Sequence, residues 1–108
     1  MIQTVVKRDG RIVGFNEEKI ITAIRKAMLH TDKGEDMSLI RQISDHISFR
    51  GDAKMTVEAI QDMVEMELMK RSRKDVAKKY IAYRNQRRIA RKAKTRDIFQ
   101  EIINIQSN

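Results

Sequence analysis

Lys7-Arg8-Asp9-Gly10, Lys19 and the arginines Arg84, Arg87 and Arg88 are the residues whose types and spacing suit recognition chemistry. That chemistry is the holding of a polyphosphate. Ammonium and guanidinium groups grip phosphate oxygens through charge-assisted hydrogen bonds. A helix start adds free backbone N–H groups and the positive end of the helix dipole. Asp9-Gly10 signals a two-residue hairpin turn of type I′, because Gly takes positive φ readily. Asn16 stands where an N-cap would stand, with Glu17 and Glu18 in the first turn, so Lys19 falls on the opening turn of a helix. A lysine there opposes the dipole, a penalty that a bound polyanion reverses.

Short strands and amphipathic helices must position these cations. Thr4 to Lys7 is rich in β-branched residues and reads as a strand, and Arg11 to Phe15 returns as a second. Ile20, Ile21, Ile24, Ala27 and Met28 repeat at helical spacing from Glu17 to Leu29. His30 to Gly34 reads as a loop. Asp36 or Ser38 then caps a second helix carrying Leu39, Ile40, Ile43 and Ile47, which Phe49-Arg50-Gly51-Asp52 ends. Ala53 to Met55 is a candidate third strand beside the hairpin, welcome because two strands alone are marginal. Thr56 is the next N-cap, followed by Glu58 and the stripe Ile60, Met63, Val64, Leu68 and Met69. A fourth helix starts near Ser72 or Lys74 and runs past Arg91, with Val76, Ala77, Tyr80, Ile81, Tyr83, Ile89 and Ala93 as its apolar positions. The expected fold is α+β: a four-helix bundle capped by a small two- or three-stranded sheet, with a C-terminal linker helix.

The 108 residues suit one domain with one core, and 41% apolar content at helical periodicity argues for a folded chain. No proline interrupts the helices, and the absence of cysteine removes disulfides, zinc ribbons and thiol nucleophiles. With no apolar run of about 18 residues, a cytoplasmic protein without membrane contact is expected. The net charge of +8 is concentrated: residues 70–94 hold twelve Lys and Arg against Asp75 alone, whereas residues 1–69 hold ten cations and twelve anions. Like charges at i, i+4 destabilise a helix, so such a run exceeds what solubility needs. Arg84, Arg87 and Arg88 share a broad face and complete a phosphate pocket if that face closes over the hairpin, with Arg91, Lys92 and Lys94 beyond it. The rival explanation is nucleic-acid binding, which a basic helix and a pI near 10 also fit. Against it, Tyr80 and Tyr83 are the only aromatics in the run and no DNA-binding spacing is evident. Catalysis by this chain alone is not expected, because His30 and His46 stand apart from any catalytic arrangement and no P-loop spacing occurs.

A resemblance sharpens this reading. Lys7-Arg8-Asp9-Gly10, Phe15 five residues after the Gly, and Lys19-Ile20 opening a helix resemble the ATP-cone, the small regulatory domain of many ribonucleotide reductases. Ile60-Gln61-Asp62-Met63-Val64-Glu65, Leu68-Met69 and Val76 to Arg84 extend the likeness over roughly residues 4–92. The Tyr80-x-x-Tyr83-Arg84 form is similar to cones of anaerobic ribonucleoside-triphosphate reductases. The resemblance implies a nucleotide-binding domain over residues 1–93 and a linker over 94–108 towards the catalytic domain of a parent reductase. It implies ATP as activator and dATP as inhibitor, with Mg²⁺ on the triphosphate, in a homo-oligomer. Lys7, Arg8 and Lys19 then contact phosphate, as do Arg84, Arg87 and Arg88. By the same resemblance Val5 walls the base, and Thr56 and Gln61 face the adenine and sugar. The stripe Ile98, Phe99, Ile102 and Ile103 seeks a neighbour through which binding is transmitted. A nucleotide-sensing repressor that joins a cone to a zinc ribbon is the family alternative, disfavoured by the lack of cysteine. A module that only mediates oligomer contacts is a third.

Overall fold

Three strands and four helices follow the order β1 (Thr4–Val6), β2 (Ile12–Gly14), α1 (Glu17–Leu29), α2 (Met37–Arg50), β3 (Lys54–Thr56), α3 (Val57–Lys70) and α4 (Lys74–Ser107). The computed structural model describes residues 1–107, with side chains for 1–94. β1 is the middle strand, antiparallel to β2 and parallel to β3. The third strand does pair, one residue later than the sequence suggested, through Thr4–Lys54, Val5–Met55 and Val6–Thr56. Gln3 and Thr4 both donate to the Ala53 carbonyl just ahead of it, at 2.8 and 2.9 Å.

The hairpin turn differs from expectation. Lys7 N donates to Arg11 O at 2.8 Å, which leaves Arg8, Asp9 and Gly10 as a three-residue loop. Gly10 N closes onto Lys7 O at 2.9 Å, and Gly10 carries a φ of +88° while Asp9 stays at negative φ. This is a tight turn followed by a left-handed Gly, the common three-residue solution. Asp9 is held by its own side chain, which accepts from Arg11 N and Arg11 Nε at 3.1 and 2.7 Å. The consequence is positional: Arg8 occupies the loop rather than a strand end.

The helices form a ring in which α1 packs on α2 and α4, and α3 packs on α2 and α4. Ile24, Met28, Ile40, Ile43, Ile47, Val64, Leu68 and Val76 are fully buried at its centre. Ile2 closes the sheet end of this core, and a Cβ on Gly51 would collide with the Ile2 side chain and approach Met55 Sδ to 2.7 Å. Asn16, Asp36 and Thr56 cap α1, α2 and α3, their side chains accepting from Glu18 N, Leu39 N and Ala59 N. Between α3 and α4, Ser72 adopts a φ of 61°, and the buried Arg73 forks onto Asp75 at 3.0 and 3.2 Å. The bundle, the small sheet and the long last helix are thus as expected. α4 has 34 residues, about 51 Å at 1.5 Å per residue, whereas α3 has 14. The stripe Ile98, Phe99, Ile102 and Ile103 lies outside the residues whose side chains are described.

Candidate functional site

Alternation along β1 puts Val5 and Lys7 on one face of the sheet. That face, with the first turns of α1 and α3 and the Tyr80 ring of α4, encloses a pocket of about 250 Å³. Val5, Val13, Phe15, Ile20, Val57, Ile60, Val64 and Tyr80 give it apolar walls, and Lys7, Lys19, Asn16 and Gln61 supply its polar groups. Pockets that enclose whole drug-sized ligands run from about 300 to 1,000 Å³. This one suits the apolar part of a ligand with its charged part at the mouth. Lys7 is half-buried and Lys19 exposed, and both line the pocket. Neither forms an ion pair among the described residues.

The arginines are held differently. Arg8 Nε donates to Glu58 Oε1 at 3.0 Å, with a longer contact from Nη2 to Gln61 Oε1 at 3.4 Å. Arg84 Nη1 donates to both Asp62 Oδ1 and Glu65 Oε1 at 2.8 Å, and its Nη2 lies 3.5 Å from the Glu58 carbonyl. Burial lowers the Arg84 pKa, but the hydrogen bonds to Glu65 and Asp62 outweigh it and hold the guanidinium above its ordinary value. Arg8 and Arg84 therefore meet at the first turns of α3, beside the pocket rather than among the residues that line it.

Of the residues singled out in the sequence, the pocket brings together Val5, Lys7, Lys19 and Gln61, with Arg8 and Arg84 at its rim. Thr56 is set back: its hydroxyl oxygen accepts from Ala59 N at 3.1 Å as the α3 cap, and the next residue, Val57, lines the pocket instead. Arg87 and Arg88 are exposed on α4 and are not among the lining residues. Arg91, expected to lie beyond the site, comes within electrostatic reach of Arg8 and Glu58. Burial and then the Arg8 charge depress its pKa, against the opposite pull of Glu58. The 3.6-residue period explains this, because Tyr80, Arg84, Arg87 and Arg91 run down one stripe of α4.

Sequence reading took Tyr80 for core alone. It is buried, and desolvation pushes its pKa up to about 12, so the phenol is neutral and keeps a proton to donate. The legible signal was its position four residues before Arg84, on the same helix face. Asn16 was read as a cap alone and Phe15 as a strand end within the family pattern, while Val57 carried no signal of its own. Among the described residues no group of three or more His, Asp or Glu is placed to hold a metal, and no helix is long and apolar enough to cross a membrane. An apolar slot with two lysines at its mouth and arginines on its rim can take a flat apolar ring and a polyanionic tail together.

Comparison with known proteins gives a consistent result. The sequence profile of the ATP cone domain matches residues 3–89. The chain is 44% identical over 101 residues to a vitamin B12-dependent ribonucleoside-diphosphate reductase of Thermoplasma acidophilum, covering 87% of this chain and 13% of that protein. It is 34% identical over 113 residues to a ribonucleoside-diphosphate reductase subunit alpha of Chlamydia pneumoniae, covering 94% of this chain and 11% of that subunit. It is 31% identical over 94 residues to an anaerobic ribonucleoside-triphosphate reductase of Haemophilus influenzae, covering 84% of this chain and 13% of that enzyme. The chain thus spans only about an eighth of the length of these relatives.

Proposed function

The chain belongs to the ATP-cone family, and from this we propose that it is the nucleotide-sensing part of a ribonucleotide reductase. ATP bound here raises the activity of the catalytic part and dATP lowers it. The observation that carries this reading is the pocket itself, apolar in its walls and lined by Lys7 and Lys19, with Arg8 and Arg84 alongside. The adenine enters between Val5, Val57, Ile60 and Tyr80, with Gln61 offering its amide to a base or sugar edge. The triphosphate lies over Lys7 and Lys19 towards Arg8, Arg84 and the α4 arginines Arg87 and Arg88. Mg²⁺ accompanies it on the phosphate oxygens. Thr56 contributes by fixing the start of α3, on which Val57 and Gln61 stand.

ATP and dATP differ by one 2′-hydroxyl, so their opposite effects come from unequal stabilisation of two arrangements of the parent protein. We assign residues 1–93 to the sensing domain and 94–108 to the linker, in a cytoplasmic, homo-oligomeric parent. The relatives matched are of three kinds, anaerobic, B12-dependent and subunit alpha. The finer assignment to an anaerobic ribonucleoside-triphosphate reductase rests on the Tyr80-x-x-Tyr83-Arg84 pattern alone.

Calorimetry of the chain with ATP and with dATP tests the reading. Saturable binding of both is expected, unaffected by added DNA. One observation favours a second reading: Arg87, Arg88, Lys92 and Lys94 are all exposed along α4. If the chain instead bound random duplex DNA with steep salt dependence and ignored both nucleotides, that basic-helix reading would replace the first.

A further inference from the structure

Glu58, Asp62 and Glu65 stand at i, i+4 and i+7 on α3 and so share one face of that helix. All three grip the site's cations. Glu58 Oε1 accepts from Arg8 Nε at 3.0 Å, and Asp62 and Glu65 each accept from Arg84 Nη1 at 2.8 Å. The rim is therefore not an open cradle of positive charge. A guanidinium offers its donors in a fixed fork, so a phosphate cannot take the Nε edge of Arg8 while Glu58 occupies it. The same carboxylate also repels a polyanion approaching Lys7 and Lys19.

Resting on the nucleotide-binding reading above, we propose that Glu58 is an internal competitor for the nucleotide's polyphosphate, holding Arg8 against α3 when the site is empty and yielding it on binding. Exposure of both partners singles out the Arg8–Glu58 pair, because Asp62, itself 68% exposed, shares the half-buried Arg84 with Glu65. The Glu58 side chain is 52% exposed and that of Arg8 37%, whereas Arg84 and Glu65 are 22% and 26% exposed. The outer pair can open by rotation of two solvated side chains, whereas Arg84 is held by two carboxylates at once. Glu58 also stands in the first turn of α3, where the helix dipole continues to favour its charge after Arg8 has left. The exchange has a mechanical side as well. Arg8–Glu58 is the ion pair that ties the hairpin loop to α3 among the described residues, so a ligand that takes Arg8 replaces that direct tie by one running through its own phosphates.

The test is calorimetric titration of the whole chain with ATP in four forms: wild type, Glu58→Gln, Arg8→Gln and the double variant. Glu58→Gln is expected to tighten ATP binding roughly two- to fivefold, the range open to an exposed ion pair. In the Arg8→Gln background that gain should shrink to the part owed to charge repulsion alone, because the competitor then has no Arg8 to withhold. An unchanged or weaker affinity in Glu58→Gln overturns the proposal. An equal gain in both backgrounds also overturns it, since that is general relief of negative charge and not competition for Arg8. Should neither the wild type nor Glu58→Gln bind ATP, it is the nucleotide-binding reading that fails, an outcome distinct from the other two.

Discussion

Lys7 and Arg8 are adjacent in sequence yet reach the candidate site by different routes, and their joint removal is the sharpest residue-scale test. Lys7 points into the pocket from the end of β1, while Arg8 leaves the strand in the turn and crosses to α3. Charged hydrogen bonds are worth roughly 1.5–3 kcal/mol each. Replacing both residues with Ala should therefore weaken ATP binding by at least about 3 kcal/mol, or roughly a hundredfold. The melting temperature should hardly move, because the one ion pair lost, Arg8–Glu58, is exposed and such pairs contribute about 0–1 kcal/mol. Titration beside a thermal melt separates the two effects, and a large drop in melting temperature would assign these residues to the fold. The sequence made this corner legible through residue type, since Lys-Arg-Asp-Gly names both the cations and the turn. It did not disclose the carboxylates opposite. Glu58, Asp62 and Glu65 read as ordinary solvated helix acids, and only the crossing of Arg8 and Arg84 onto that face reveals their partners. Thr56 was legible as the α3 cap. A threonine at a helix start satisfies the backbone first, and the pocket falls to its neighbour Val57.

At the scale of elements, the joint between α1 and α2 carries a mismatch of charge. Glu17, in the first turn of α1, faces Asp45 of α2, and its Oε1 is buried without a hydrogen-bond donor. The Asp45 carboxyl, and after it burial, raise the Glu17 pKa. The nearby Ser44 and Ser48 hydroxyls, which also donate to the carbonyls of Arg41 and Ser44, pull it down but only in part. A carboxyl raised in the folded state adds stability that is fully present below its unfolded pKa and lost as pH rises through the folded one. The repulsion therefore acts above the raised Glu17 pKa and fades as pH falls through it. Asp45→Asn should raise the melting temperature by a few degrees at pH 7, with the gain shrinking as acidification protonates Glu17, which happens above the ordinary carboxylate range because its pKa is raised. A lower melting temperature at pH 7 would mean instead that the two carboxyls share a proton and hold the joint together. None of this could be read from the chain, since Glu17 and Asp45 lie on different helices and each is unremarkable alone. The elements themselves were legible because the 3.6-residue stripes and the caps Asn16 and Thr56 agree. β3 was less so. A three-residue strand has almost no pattern, and it exists because β1 offers a free edge to Lys54–Thr56.

The whole molecule is a bundle with one helix too long for it. Among the described residues, Tyr80 is the last buried apolar side chain on α4. Residues 85–90 are all exposed, and Arg91 then turns back towards Arg8 and Glu58. The family profile likewise ends at residue 89. The first half of the helix thus closes the pocket, and the residues past Arg91 are not among those that line it. A chain ending after Ala93 should keep both its melting temperature, within a few degrees, and its affinity for ATP. It retains every lining residue, the rim arginines Arg8 and Arg84, and Arg91. A thermal melt and a titration of the shortened chain check this, and lost affinity would show that residues 94–108 belong to the binding unit rather than to a linker. The converse experiment belongs in the full-length parent. Exchanging Ile98, Phe99, Ile102 and Ile103 for polar residues should there leave nucleotide affinity intact while uncoupling it from activity, because those four positions lie past every residue that forms the pocket. Regulation that survived the exchange would mean that the signal leaves the domain by another surface, and the Arg8–Glu58 tie between hairpin and α3 would be the first place to look.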